Sequence, residues 1–230
     1  MPTITWHGHA CFDIEHGGRR VIIDPFLTGN PKADLDATRL PRLDAILLTH
    51  GHGDHLGDAV PLAKRDNAVV VATYELALFC GEQGAPVVHA MHIGGAHEFP
   101  FGTVKLVPAI HGGMVEGDEA GRFTTHPCGC VVTMGGTRIY HCGDTALTMD
   151  MQLLEGHVDV MLVPIGDNYT MGIEDAVRAV EFVRPGTVIP MHYGTFPVIE
   201  TDPAAFRTAV GDRARVVVLT PGASWSDTDR

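Results

Sequence analysis

Positive charge is scarce in this chain: 16 Lys and Arg stand against 28 Asp and Glu in 230 residues, a formal net charge of −12. A non-specific grip on nucleic acid needs clustered Lys and Arg to neutralise phosphates, and no such cluster is present, so nucleic acid is not an expected partner. A small anionic substrate drawn to a metal stays compatible with this charge. Long apolar runs are also missing, and with no stretch approaching the length that spans a bilayer, no membrane association is expected. The N-terminal residues MPTITWHGHACF carry neither a basic segment nor the apolar core of a secretion signal, which makes a cytoplasmic location the expectation. Cysteine is sparse and irregular: Cys11, Cys80, Cys128, Cys130 and Cys142 are an odd number without the spacing of a disulfide framework and read as reduced thiols. His126, Cys128 and Cys130 resemble half of a metal site, but no second pair has matching spacing, and they are read as non-ligands.

What the chain does have is enough apolar residue, 45% of the total, to build one large core, and residues 1–230 are expected to form a single domain. Chemistry concentrates in Leu43 to Asp58, LDAILLTHGHGDHLGD. Its apolar start, Ala45 to Leu48, reads as a central strand buried on both faces. The continuation cannot be core. His50, His52, Asp54 and His55 fall within six residues, separated by Gly51 and Gly53, and glycine lets a backbone turn tightly enough for several side chains to converge. Helix capping would explain one Asp here but not three His beside it. Convergent imidazoles and carboxylates suit a borderline divalent metal.

The strand and helix signals recur in two halves. Thr3 to Glu15 and Arg19 to Asp24 read as strands joined by His16, Gly17 and Gly18; Cys130 to Met134 and Thr137 to His141 read as a second hairpin across Gly135 and Gly136. Asp24 closes the first and Asp144 the second. VDVMLVPIGDN (158–168) parallels LDAILLTHGHG (43–53), EDAV (174–177) parallels GDAV (57–60), and Arg215 to Thr220 parallels Val104 to Ala109. Leu56 to Arg65 and Glu75 to Gln83 read as helices, with Ala68 to Ala72 a buried strand between them. The expected architecture is α/β (α+β): two internally duplicated halves, two sheets face to face, and a helical layer on each flank. Ligands in such folds gather beyond strand ends, where His50 to His55, His111, Asp144 and His192 all fall. Where the first half has His50, His52 and Asp54, the second has Ile165, Asp167 and Tyr169, which points to one site rather than two.

His50, His52, Asp54 and His55 match the HxHxDH signature of the metallo-β-lactamase superfamily, which the chain resembles over nearly its whole length. His111 in PAIHGG, Asp144 in HCGDT and His192 in PMHYGT correspond to that superfamily's later single ligands. IDPFLTGNP (23–31), IGDNYTMG (165–172) and MHYGTFP (191–197) resemble the small single-domain metal-dependent hydrolases related to ascorbate-6-phosphate lactonase. The resemblance implies a four-layer αββα sandwich in which His50, His52 and His111 hold one metal, Asp54, His55 and His192 hold a second, and Asp144 bridges them. The implied cofactors are two divalent ions, zinc first, with manganese and iron as alternatives. The implied activity uses a metal-bound hydroxide to cleave a small ester, lactone or phosphoester, with Asp54 also orienting the nucleophile and relaying its proton.

His9, Asn168, Tyr169 and Thr195 are the candidates for touching the small-molecule substrate, and His7 and His9 on the first strand read equally as donors to the site residues or as structural histidines. His141 and Cys142 are read as core. Gly112 to Thr125, glycine-rich and acidic, reads as a mobile flap over the cleft, with Arg122 or Lys32 as receivers of a substrate phosphate. Two rival readings share the ligands. A phosphodiesterase acting on nucleotides would need a basic groove or an added binding arm, and a non-catalytic metal-binding or sensing module would keep the ligands without turnover, complete ligation arguing against decay of the enzyme. A homo-oligomer stays open.

Overall fold

The architecture is that of a computed structural model describing residues 1–227. The chain opens with β1 (Thr3–Trp6), β2 (Phe12–His16), β3 (Arg19–Ile23) and β4 (Ala45–Leu47), followed by helices α1 (Gly53–Leu56) and α2 (Ala59–Asp66). Strand β5 (Val69–Thr73), helix α3 (Tyr74–Glu82) and strand β6 (Val87–Met91) complete one sheet, whose order from edge to edge is β14-β1-β2-β3-β4-β5-β6, β14 being Ser224–Ser226. The other sheet takes β7 (Ala96–Phe99), β8 (Gly102–Pro108), β9 (Cys128–Met134), β10 (Thr137–His141) and β11 (Val160–Pro164), then, beyond helix α4 (Ile173–Val183), β12 (Thr187–Met191). Helix α5 (Pro203–Val210) leads to β13 (Arg215–Val216), and the strand order is β13-β12-β11-β10-β9-β8-β7.

Two mixed sheets with helices outside make an α/β sandwich, and the strand alternation explains the layering. In β3 to β5, Val21, Ile23, Ala45, Leu47 and Val71 pack into the core between the sheets, while Ile22, Ile46 and Val70 turn outward beneath Leu62, Leu76 and Phe79 of the helices. Helix α4 covers the other sheet with Ala176, Ala179, Val180 and Val183, spaced for one helical face, and Glu174 and Asp175 favour its N-terminal end.

The duplication is visible in the pairing. Strands β1–β3 and β8–β10 are antiparallel meanders, each followed by three parallel strands, β4–β6 and β11–β13, and an antiparallel strand flanks each meander, β14 on β1 and β7 on β8. This corrects one expected correspondence: the strand starting at Arg215 matches β6, and Val104 to Ala109, within β8 and just beyond, matches β1. Other boundaries shift for identifiable reasons. Thr3 to Glu15 is two strands, because Gly8 (φ 95°) and His9 (φ 55°) reverse the chain, placing His7 and His9 in a turn. The helix expected over Leu56 to Arg65 divides at Gly57 (φ 40°), where a Cβ would lie 2.5 Å from the Pro25 carbonyl oxygen. Strand β13 ends at Val216, one further bond running from Val217 N to Val188 O (2.9 Å), and Val217 to Thr220 is not strand.

Candidate metal centre

Strand β4 delivers the metal loop. Its backbone leaves the sheet at Thr49, and Gly51 passes so close to the 114–115 segment that a Cβ would meet the Met114 carbonyl oxygen at 2.9 Å. Helix α1 begins immediately after His52, which sets Asp54 and His55 on its first turn. Asp24, at the end of β3, holds this loop in place. Its carboxylate accepts from Thr49 N (2.8 Å), the Thr49 hydroxyl (2.7 Å) and His55 Nδ1 (2.7 Å), all fully buried. That spends the Thr49 proton, so the His50 Nδ1–H donates to Thr49 Oγ1 (3.0 Å), and the His50 Nε2 lone pair faces His52 Nδ1 at 3.1 Å.

The seven residues expected around metal are brought together. His50, His52 and His111 have ligand atoms within 4.8 Å of one another, as do Asp54, His55 and His192, a group that His9 joins. Asp144 lies between the groups: Oδ1 is 3.3 Å from His55 Nε2, and Oδ2 is 3.0 Å from His192 Nε2 and 3.5 Å from His111 Nε2. These atoms are close but not aligned to share hydrogens. His55 Nε2, Asp144 Oδ1 and both ring nitrogens of His192 are buried with no hydrogen-bond partner. Buried polar atoms are nearly always satisfied, and His55 Nε2, His192 Nε2 and Asp144 Oδ1, orphaned in one cluster beside the His50 lone pair, fit a cation.

The electrostatics agree. Burial disfavours the Asp144 anion, but His192 and His55 outweigh it and hold the carboxyl well below the usual range. Burial likewise opposes a charged His55, yet Asp144 and Asp24 raise its pKa well above that of a free imidazole. His50 is pushed well down by burial and by His55, and His111 is lowered chiefly by burial. Asp54 is lowered against its own burial, mainly by the hydrogen bond from His9.

His9 is fully buried, its ring edge-on to Phe26 and Phe196 and 4.0 Å from the His192 ring. Burial and then His192 depress its pKa to about 4, so it is neutral and carries one proton. That proton sits on Nε2 and is donated in a hydrogen bond to Asp54 Oδ2 (3.1 Å), leaving Nδ1 to accept from the Thr195 hydroxyl at 2.9 Å. Thr195 therefore faces His9, inside the protein. Asn168 (φ 53°) and the exposed Tyr169 sit on the loop after β11; among the described residues no hydrogen bond or ring contact joins either to the histidines. His141 is core, its ring taken by the Ala10 carbonyl (2.8 Å) and Gly143 N (3.1 Å), and all five cysteines are free and buried.

Two expectations about the flap change. Gly112 to Thr125 has no regular element, but it is tied down: Glu116 N bonds to Gly51 O (2.8 Å), the Thr125 hydroxyl to Gly113 O (2.7 Å), and Val115 is buried under the helices. Arg122 is paired with Glu82 at 2.8 Å and stacked over Phe123, so it is not a waiting phosphate receiver. Asp24 and Thr49 were not singled out from sequence as site residues. The available signal was the matched position of Asp24 and Asp144 at the ends of equivalent hairpins.

Comparison with known proteins places the chain. Residues 3–192 match the beta-lactamase superfamily domain. The chain belongs to this superfamily, among its metal-dependent hydrolases. A UPF0173 metal-dependent hydrolase of Bacillus thuringiensis subsp. konkukian is 54% identical over 207 residues, 88% of this chain and 90% of that protein. Among solved structures, the metallo hydrolase Igni18 of Ignicoccus hospitalis superposes with a TM-score of 0.88 at 33% identity, covering 97% of each chain. An isothiocyanate hydrolase from Delia radicum gut bacteria shares the fold, with a TM-score of 0.76 at 19% identity over 97% of this chain and 98% of that one. Among the described residues no helix is long and apolar enough to cross a membrane.

Proposed function

We propose that residues 1–230 act as one dinuclear hydrolase domain cleaving a small ester, lactone or phosphoester. The observation that carries this reading is the pair of imidazole-rich groups on either side of Asp144, with His55 Nε2, both ring nitrogens of His192 and Asp144 Oδ1 buried without a hydrogen-bond partner. His50, His52 and His111 would hold one cation, Asp54, His55 and His192 the other, and Asp144, with two oxygens directed to different histidines, both. When bound, a pair of divalent ions supplies Lewis acidity and lowers the pKa of water toward neutrality. Zinc suits this donor set, as do manganese and iron.

The chain's own residues do the rest. Asp24 and Thr49 fix the tautomers and ring orientations of His55 and His50, so that each offers Nε2 inward. Asp54 is the most exposed of the three site carboxylates, with 30% of its side chain open to solvent, and the His9 hydrogen bond keeps it ionised. It is thereby placed to orient an attacking water and accept its proton. The test is to strip the chain with a chelator, reload it with zinc, manganese or iron, and assay a panel of esters, lactones and phosphoesters. Hydrolysis should vanish on stripping and return on loading; turnover by the stripped chain would overturn the reading.

A further inference from the structure

The loops carrying the candidate metal residues also carry large apolar side chains turned to solvent. Ile110, Met114, Tyr169 and Val198 are between 57 and 61% exposed, four of the ten exposed large apolar residues among the described residues. Scattered single apolar residues are ordinary on a surface, whereas these share one end of the sandwich. Ile110 immediately precedes His111 and is bonded to the Asp144 loop at both ends of its peptide, N to Thr145 Oγ1 (3.0 Å) and O to Ala146 N (3.1 Å). Met114 is on the stretch lying against Gly51, between His50 and His52. The Tyr169 loop is tied to the Asp144 loop through Met171 N and Thr145 O (3.1 Å), and the Val198 turn closes on the His192 segment through Gly194 N and Ile199 O (2.8 Å). Deeper in, the rings of Phe26 and Phe196 flank His9.

The flap's cation, Arg122, is paired with Glu82. We infer that this site, given the hydrolase reading above, takes an ester or lactone with an apolar acyl body. In the reaction the acyl carbon–oxygen bond breaks and the oxygen of water bonds to the acyl carbon. One proton passes to the leaving alcohol, and the other is released from the acid formed. The apolar rim desolvates the acyl chain while the metal residues meet the carbonyl.

The experiment uses zinc-loaded full-length protein and two series of probes. Calorimetry compares acetohydroxamic with octanohydroxamic acid, which chelate metal and differ in chain length. Turnover compares p-nitrophenyl acetate, butyrate and octanoate with p-nitrophenyl phosphate and bis(p-nitrophenyl) phosphate. Burial of part of the added chain is expected to raise both affinity and kcat/KM by about 10- to 100-fold from the shortest to the longest probe. Tyr169→Ser and Met114→Ser, exposed substitutions that leave the core untouched, should each reduce that ratio several-fold. Esters turned over with no chain-length preference, or a phosphoester preferred and lost in Lys32→Ala, would overturn the inference and leave the hydrolase reading intact. Chain-dependent hydroxamate binding without turnover of any probe would overturn both the inference and the hydrolase reading beneath it, leaving a binding face alone. Concentration-dependent dimerisation that Tyr169→Ser abolishes would assign the face to a second copy of the chain and overturn the inference.

Discussion

Asp24 and Asp144 occupy matching places in the two halves, each just past the end of a hairpin strand, β3 or β10, and each buried among histidines. Their surroundings differ in kind. Asp24 is saturated by a backbone N–H, a hydroxyl and an imidazole, whereas Asp144 faces imidazoles alone, with Oδ1 unpartnered. One fold position thus yields a structural carboxylate in one half and an available one in the other. The difference teaches that topology places a side chain but the donors around it decide its use.

The largest expected effect tests the available partner. Asp144→Ala should lower zinc affinity by more than about 100-fold, the upper end of what loss of an outer partner costs, while circular dichroism shows the metal-free chain still folded. Asp24→Asn should behave differently, costing on the order of 3 kcal/mol in urea unfolding of the metal-free chain together with about 10- to 100-fold in zinc affinity, because His55 loses its orienting acceptor. If the two substitutions gave the same pattern, the contrast between the carboxylates would collapse. Thr195→Val is expected to cost about 1 to 3 kcal/mol by leaving His9 Nδ1 buried without a donor, with Thr195→Ser restoring most of it in the same unfolding assay.

The smallest effect sets two histidines of one turn against each other. His7 is buried, which disfavours its cation, but hydrogen bonds to Asp13 (3.0 Å) and Asp34 (2.8 Å) override that and raise its pKa. Its contribution to stability is therefore fully present below about pH 6.5 and fades as pH rises through the folded value. His9 is lowered to about 4, so it opposes folding increasingly as pH falls from about 6.5 toward 4. In the metal-free chain, His7→Gln should cost more stability at pH 5 than at pH 8, and His9→Gln less, the His9 difference being on the order of 2 kcal/mol. Equal costs at both pH values would sink the assignment.

Much of this was legible before any coordinates. The HxHxDH stretch after an apolar run announces metal chemistry, since no other use explains so many imidazoles in six residues. The turn at His9, the break at Gly57 and the partnership of Asp24 were not legible, because each depends on a segment distant in the chain: Lys32 against Gly8, Pro25 against Gly57, and Thr49 and His55 against Asp24. The pairing of β13 as the counterpart of β6 was equally hidden, since short apolar runs look alike and only ladder direction tells them apart.

The sequence by itself determined the family, the two-sheet plan and the residue types able to bind cations, because periodicity and ligand chemistry are local properties. Tertiary structure alone decided which carboxylate is saturated and which left open, where Thr195 and Arg122 spend their hydrogen bonds, and that the exposed apolar residues share one end of the sandwich. Those outcomes follow from burial and from the supply of donors within about 3 Å, which no stretch of letters contains.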